Sequence, residues 1–368
     1  MRAAVTALVA TVLVAGVSGC QTIAFYGQAV AGHARLMRAR EPVEAVREDP
    51  ATPAARKARL ALVDDALAFA RDRLALEVGN RYRTYVEWPE GAVVWNVFAT
   101  GELSVEPHTW CYPIVGCAAY RGYFRRPAAD AEAARRARRG DDVRVDGAAA
   151  YSTLGWFDDP LLSTFIDWPE PELAGLLFHE LAHGRVFAKG DTEFNESYAT
   201  FVEREAVRAW LESRGDATAL AEYRVRRDRN DLRARFMLAW REALRRLYEA
   251  PYGDFARRMM KADMMAMARR CEQDLSIGAT QLPADLNNAD FVPWAAYRRA
   301  VPAFAVLFAE NGNDWARFHA AVGSLARAPK AERRAAIDAA LARAPADERD
   351  ERLECRGIVP AALGDVTP

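Results

Sequence analysis

The stretch "FHELAHGRVFAKGDTEFNESYA", residues 178–199, restricts the fold more than any other part of the chain. The chain has only five histidines, and two of them, His179 and His183, stand four residues apart inside an apolar run. In an α-helix, residues i and i+4 share one face, one turn apart. The surrounding segment "PELAGLLFHELAHGRVFAKG" predicts that helix. Pro171 is at a favoured first-turn position and Gly190 marks the stop. "AKGD" then predicts a turn, and "NESYATFVEREAVRAWLESRG" predicts a second helix. A fold that uses both must turn the second helix back on the first, which brings the start of the second toward the two imidazoles.

Two imidazoles on one helical face can meet at one metal ion, and zinc takes such nitrogens at about 2.0 Å in tetrahedral sites. Glu180 is rotated about 100° from His179. It flanks the pair without competing as a ligand, where a base would take a proton from water activated by the ion. This is the H-E-x-x-H arrangement of zinc peptidases. A catalytic site needs a third protein ligand and one open position. Glu196, thirteen residues after His183, supplies that ligand. With Asn195 before it and Ala199 after it, it resembles the N-E-x-x-A motif of glutamate-ligand zincins. Glu193 and Glu203 are its rivals. Glu203, two turns further along the same face, can instead orient a ligand histidine from behind.

The first residues read as an export signal. Arg2 precedes the short apolar run "AAVTALVATVLVAGV", too short for a comfortable membrane span. "VSGC", with Ser18 and Gly19 before Cys20, resembles the bacterial lipobox. By that resemblance Cys20 becomes the first mature residue and carries lipid that holds the protein on a membrane. Gln21 resembles the choice made for the outer membrane. The other reading is a plain signal peptide with an incidental cysteine. Export implies an oxidising compartment, where four further cysteines suit disulfides. Cys111 with Cys117 and Cys271 with Cys355 are the nearest pairs, although sequence does not fix connectivity. No Cys-x-x-Cys pair suggests a second zinc site.

Between the lead-in and the histidine helix the texture changes twice. Around residues 54–78, Leu60, Val63, Leu67 and Leu74 keep helical spacing. "AVVWNVFAT", "LSVEP", "IVGCAAYRGYF" and "VRVDGAAAYSTLGWF" are then short, apolar or aromatic, and broken by Gly and Pro. They predict a small sheet of three to five strands, interrupted by a helix at "PAADAEAARRARRG". Beyond Pro171 nearly everything reads as helix, including a long charged pair over about 215–276 with Met237, Trp240, Leu244 and Leu247 as a core stripe. The expected boundaries are a signal peptide over 1–19, anchor and lead-in over 20–54, helix plus sheet over 55–170, a helical metal-site part over 171–350 and a tail over 351–368. A net charge of −1 gives no broad attraction to nucleic acid, and the arginines from Arg135 to Arg139 read as a solvated face.

"WCYPIVGCAAYRGYF", "AYSTLGWFDDPLLS", "FHELAHGRVF", "FNESYATFVE" and "LNNADFVPWAAY" occur in this order. Together, over about residues 91–300, they resemble a bacterial family of predicted zinc aminopeptidases, many of them lipoproteins. The resemblance implies an α+β, zincin-like fold: a small mixed sheet, then a predominantly helical C-terminal part carrying the H-E-x-x-H helix. It implies one Zn2+ ion, a peptide substrate, Glu180 as general base, and a location on the periplasmic face of a bacterial membrane. An edge strand at "GAAAYSTLGW" would pair through Tyr151, Ser152, Thr153, Leu154 and Gly155 with the substrate backbone. The alternative is an ordinary strand with Tyr151 and Leu154 in the core. A hydroxyl donor for the developing oxyanion would be Tyr297, with Tyr151 and His108 as competitors and a buried structural tyrosine as the other reading. Asn287 and Asn288 would shape that wall as turn or cap residues. Aminopeptidase action needs an anionic seat for the substrate amine, for which Glu102 and Glu106 are possible. Two alternatives stand beside it: a zinc endopeptidase of narrow specificity, and a lipoprotein scaffold with a structural or relic zinc site. The sequence says nothing of oligomeric state.

Overall fold

The structure, a computed structural model, describes residues 24–112, 116–150, 158–275, 281–294 and 300–345. Cys20, Tyr151 to Gly155, Tyr297 and Cys355 lie outside the described residues.

The lead-in is folded into the body. It holds helix α1 over 24–38, the two-residue strand β1 (Glu41–Pro42) and helix α2 (Val43–Glu48). Leu36, Val43 and Val46 are buried in the main core. Helix α3 (Ala54–Arg73) buries Leu60, Val63 and Leu67, and Leu74 directly after it. Helical spacing had placed these four on one face.

Instead of the one small sheet expected, the described strands form two three-stranded sheets and a hairpin. In the first sheet, β2 (Thr84–Val86) pairs antiparallel with β1 and parallel with β8 (Leu161–Leu162). In the second, β3 (Val94–Thr100) lies between β6 (Arg121–Tyr123) and β7 (Asp142–Ala148), antiparallel to both. The hairpin joins β4 (Trp110–Tyr112) to β5 (Gly116–Ala118), with Cys111 opposite Cys117 and the two bonded as a disulfide. Cys271 is buried and also disulfide-bonded. Helix α4 (Arg126–Ala137) separates β6 from β7. Long-range pairing sets the register of the second sheet: Asn96 faces Gly122 on one side and Asp146 on the other.

From Glu170 the fold is helical. Helix α5 (Glu170–Arg185) begins with Pro171 near its start and two glutamates in its first turn, which suit the positive end of the helix dipole. Helix α6 (Thr192–Ser213) is capped by Asp191, whose carboxylate accepts from Phe194 N–H. Gly190 just before it takes φ +72°, a left-handed conformation that suits glycine. Helices α7 (Ala217–Glu249) and α8 (Asp254–Leu275) form the charged pair, and their stripe of Met237, Trp240, Leu244 and Leu247 belongs to a second core with Leu282, Leu286 and Phe291. Three final helices, Val301–Glu310, Trp315–Arg327 and Lys330–Arg343, pack on the main core. No helix among the described residues is long and apolar enough to cross a membrane. The whole is an α+β molecule with small sheets and a helical C-terminal part.

Candidate metal centre

Helix α5 places His179 and His183 on one face, and α6 returns alongside it. Gly175 lets the two helices approach: a β-carbon there would stand 3.3 Å from Glu203 Cγ and 3.3 Å from Val207 Cγ2. The two Nε2 atoms lie 3.1 Å apart, each 3.4 Å from Oε2 of Glu196. All three donor atoms fit within 4.8 Å of one another. His179 and His183 are buried, and the Glu196 side chain is only 12% exposed. Of the three carboxylates weighed for the third position, it is Glu196 that meets both rings.

Glu203 stands behind His179, with Oε2 3.1 Å from Nδ1. A carboxylate there accepts from Nδ1–H and turns Nε2 toward Glu196 and His183. Asn195 does not reach the histidines. Its amide binds the backbone of Ala188 in the turn between α5 and α6. Burial works against a charge on His179, but its hydrogen bonds to Glu196 and Glu203, and the charges of Glu203 and Glu180, hold its pKa well above 6.5. Burial would raise Glu196, but the charge of His183 and the hydrogen bonds of both rings pull it down to about 2. The group is therefore built to keep a positive charge among carboxylates.

The histidines and Glu196 line a cavity of about 680 Å³, and Glu180, Glu203, Thr200 and Glu172 line it too. Oε2 of Glu180 is buried without a hydrogen-bond partner among the described residues. The second sheet contributes Val94 and Asn96 from β3, Gly122 from β6 and Ala148 from β7, followed by Ala149 and Ala150. β7 is an edge strand, so the wall leads straight into the segment expected to pair with substrate, whose residues 151–155 lie outside the described ones. Pro293 and Trp294 close the wall. Asn287 and Asn288 shape that region. Asn287 caps the 3-10 turn Asn288–Phe291, and Asn288 bonds Tyr248 and the carbonyl of Glu102.

The other sequence candidates lie elsewhere. His108 Nε2 pairs with Asp141 at 2.9 Å and does not line the cavity. Glu102 pairs with Arg258 and Glu106 with Arg241, both outside the cavity lining. Four residues near the site escaped the sequence reading. Tyr120 and Trp168 line the cavity, and so does Glu172, which the seven-residue spacing from His179 could have revealed. Tyr82 is fully buried, and burial together with the charge of Glu180 pushes its hydroxyl pKa far above 10. No local sequence pattern marks it.

Two imidazole nitrogens and a carboxylate oxygen converging beside a glutamate whose Oε2 has no hydrogen-bond partner among the described residues define a group that can hold a metal ion. A family described as "Putative aminopeptidase" matches residues 24–337, and the chain belongs to that family. No curated protein and no solved structure matches the chain at a significant level.

Proposed function

We propose that the protein is a zinc-dependent peptidase acting as an aminopeptidase. The observation that carries this reading is the meeting of His179 Nε2, His183 Nε2 and Glu196 Oε2 at the floor of a cavity that also holds Glu180. The donor set is of the kind zinc takes at a catalytic site, two imidazoles and one carboxylate. A bound zinc ion would supply Lewis acidity, bringing the pKa of water toward about 7 and polarising a peptide carbonyl. His179, His183 and Glu196 would hold the ion, and Glu203 fixes the orientation of the His179 ring. Glu180 takes the proton of the attacking water and delivers it to the leaving amine. Glu180 lines the cavity, and its buried Oε2 has no competing partner among the described residues. The rim at Ala148–Ala150 leads into the backbone that pairs with an extended peptide, and Tyr297 provides the hydroxyl facing the oxyanion. Lipid on Cys20 holds the protein on the periplasmic face of an outer membrane.

The test compares purified, zinc-quantified wild type with Glu180→Gln on a peptide panel. The proposal expects one zinc per chain in both proteins and turnover in the wild type only. Stoichiometric zinc without turnover in either protein would favour a scaffold with a structural metal instead. Free-amine and N-acetylated versions of each peptide separate the two peptidase types: a free-amine preference supports aminopeptidase action, and equal rates support an endopeptidase.

A further inference from the structure

Glu172 stands seven residues before His179 on α5, on the same helical face, and lines the same cavity. Seven residues of helix span about 10 Å, about three residues of extended peptide. Among the described residues the cavity lining contains four glutamates and neither lysine nor arginine. Three of the four are engaged in the centre: Glu196 meets both histidines, Glu203 meets His179, and Glu180 adjoins the ligands. Glu172 is the fourth. Its Oε1 accepts from Arg226 Nε at 2.7 Å, and its Oε2 is buried with no hydrogen-bond partner among the described residues. Trp168, 38% exposed, also lines the cavity and offers an aromatic face to it. Cations are held both by carboxylates and by such faces.

We infer that Glu172 is a specificity-determining residue that receives a positively charged ammonium or guanidinium group of the substrate, two or three residues from the bond that is cut. The inference rests on the peptidase reading of this cavity and adds to it a substrate class and a register. Two sources carry such a charge: a free α-amine at the peptide's N-terminus, in which case the enzyme releases a di- or tripeptide rather than a single residue, or a lysine or arginine side chain. Arg226 neutralises part of the Glu172 charge, so the two residues act on the preference in opposite directions.

The experiment measures kcat/KM for two peptide pairs on zinc-loaded protein. One pair differs only by N-acetylation, the other, acetylated in both members, only by lysine against norleucine, with the charge moved along the peptide. In the wild type the charged member of at least one pair is preferred, most strongly with the charge two or three residues from the scissile bond. Glu172→Gln lowers that charged-to-neutral ratio by about tenfold, the scale of a lost hydrogen bond to a charged group. Arg226→Gln raises it. A response confined to the first pair identifies the α-amine, and one confined to the second identifies a basic side chain. Ratios unmoved by both substitutions, in an enzyme that Glu180→Gln still inactivates, overturn the Glu172 assignment and leave the peptidase reading standing. A wild type that holds zinc and cleaves nothing removes both.

Discussion

The side-chain amide of Asn195 satisfies both backbone groups of Ala188: Ala188 N–H donates to Oδ1 at 2.8 Å, and Nδ2 donates to the Ala188 carbonyl at 2.8 Å. Both residues are buried. The pair stitches the turn after α5 to the first turn of α6, one residue before Glu196. Asn195→Ala leaves a buried N–H and C=O without partners and should cost roughly 2–3 kcal/mol. It should also weaken zinc retention, because the first turn of α6 is free to drift from the histidines. Urea unfolding of the metal-free protein measures the first effect, and zinc content after dialysis the second. Full stability with full zinc would show that the clamp is dispensable.

Glu203 acts on the ion only through His179. Glu203→Ala removes the acceptor at Nδ1 and should lower zinc affinity by about 10–100-fold, the usual effect of losing such a partner. Glu203→Gln keeps an acceptor oxygen and should lie between the two. Competition against a chromophoric chelator reads the affinity. Equal affinities in all three proteins would show that packing alone orients the ring.

The metal ligands were legible in the sequence because they are local. His179, His183 and Glu196 lie within eighteen residues, and helical spacing plus one turn brings them together. Asn287 and Asn288 were legible as turn or cap residues for the same reason: Asn287 caps the turn that Asn288 begins. The cavity walls were not. Val94, Asn96, Gly122 and Ala148 meet there through strand register, with Asn96 opposite Gly122 and Val94 opposite Ala148, which no local pattern specifies. His108, Glu102 and Glu106 failed as site candidates because sequence shows a side chain's chemistry but not its neighbour. Their partners Asp141, Arg258 and Arg241 come from 33, 156 and 135 residues away. Arg333 is a further case. This buried arginine on the last helix pairs with Asp191, the cap of α6, so the end of the fold steadies the start of the helix that carries Glu196.

Metal binding should release a proton. Without metal, His179 titrates well above 6.5, held there against burial by Glu196 and Glu203, so at pH 7 it carries a proton that zinc must displace. Glu196 titrates at about 2 and is already ionised. Zinc affinity should therefore rise with pH through the neutral range, by up to tenfold per unit while one proton leaves. Calorimetry at pH 7 in buffers of different ionisation enthalpy should return about one proton released per zinc. A value near zero would show that His179 is already neutral in the metal-free protein.

His319 predicts a separate acid sensitivity away from the metal. It lies in the helix Trp315–Arg327, buried against α6. Tyr198 O–H donates to its Nδ1 at 2.8 Å, and its Nε2–H donates to the Leu74 carbonyl at 2.9 Å. Burial depresses its pKa to about 4, the bond to Leu74 pulls the other way, and the charge of Arg185 adds to the depression. In the unfolded chain a histidine titrates near 6.5, so the unfolded state takes up the proton first. The stability this ring contributes is whole above about pH 6.5 and is lost as pH falls toward about 4, a loss of about 3 kcal/mol. Replacing the ring in His319→Gln removes this titration. The gap in stability between wild type and variant should narrow from pH 7 to pH 4, measured by urea unfolding of the metal-free proteins at half-unit intervals. Parallel curves across that range would mean the folded ring accepts a proton as readily as the unfolded one, and the hydrogen-bond assignment at Nδ1 would then be wrong.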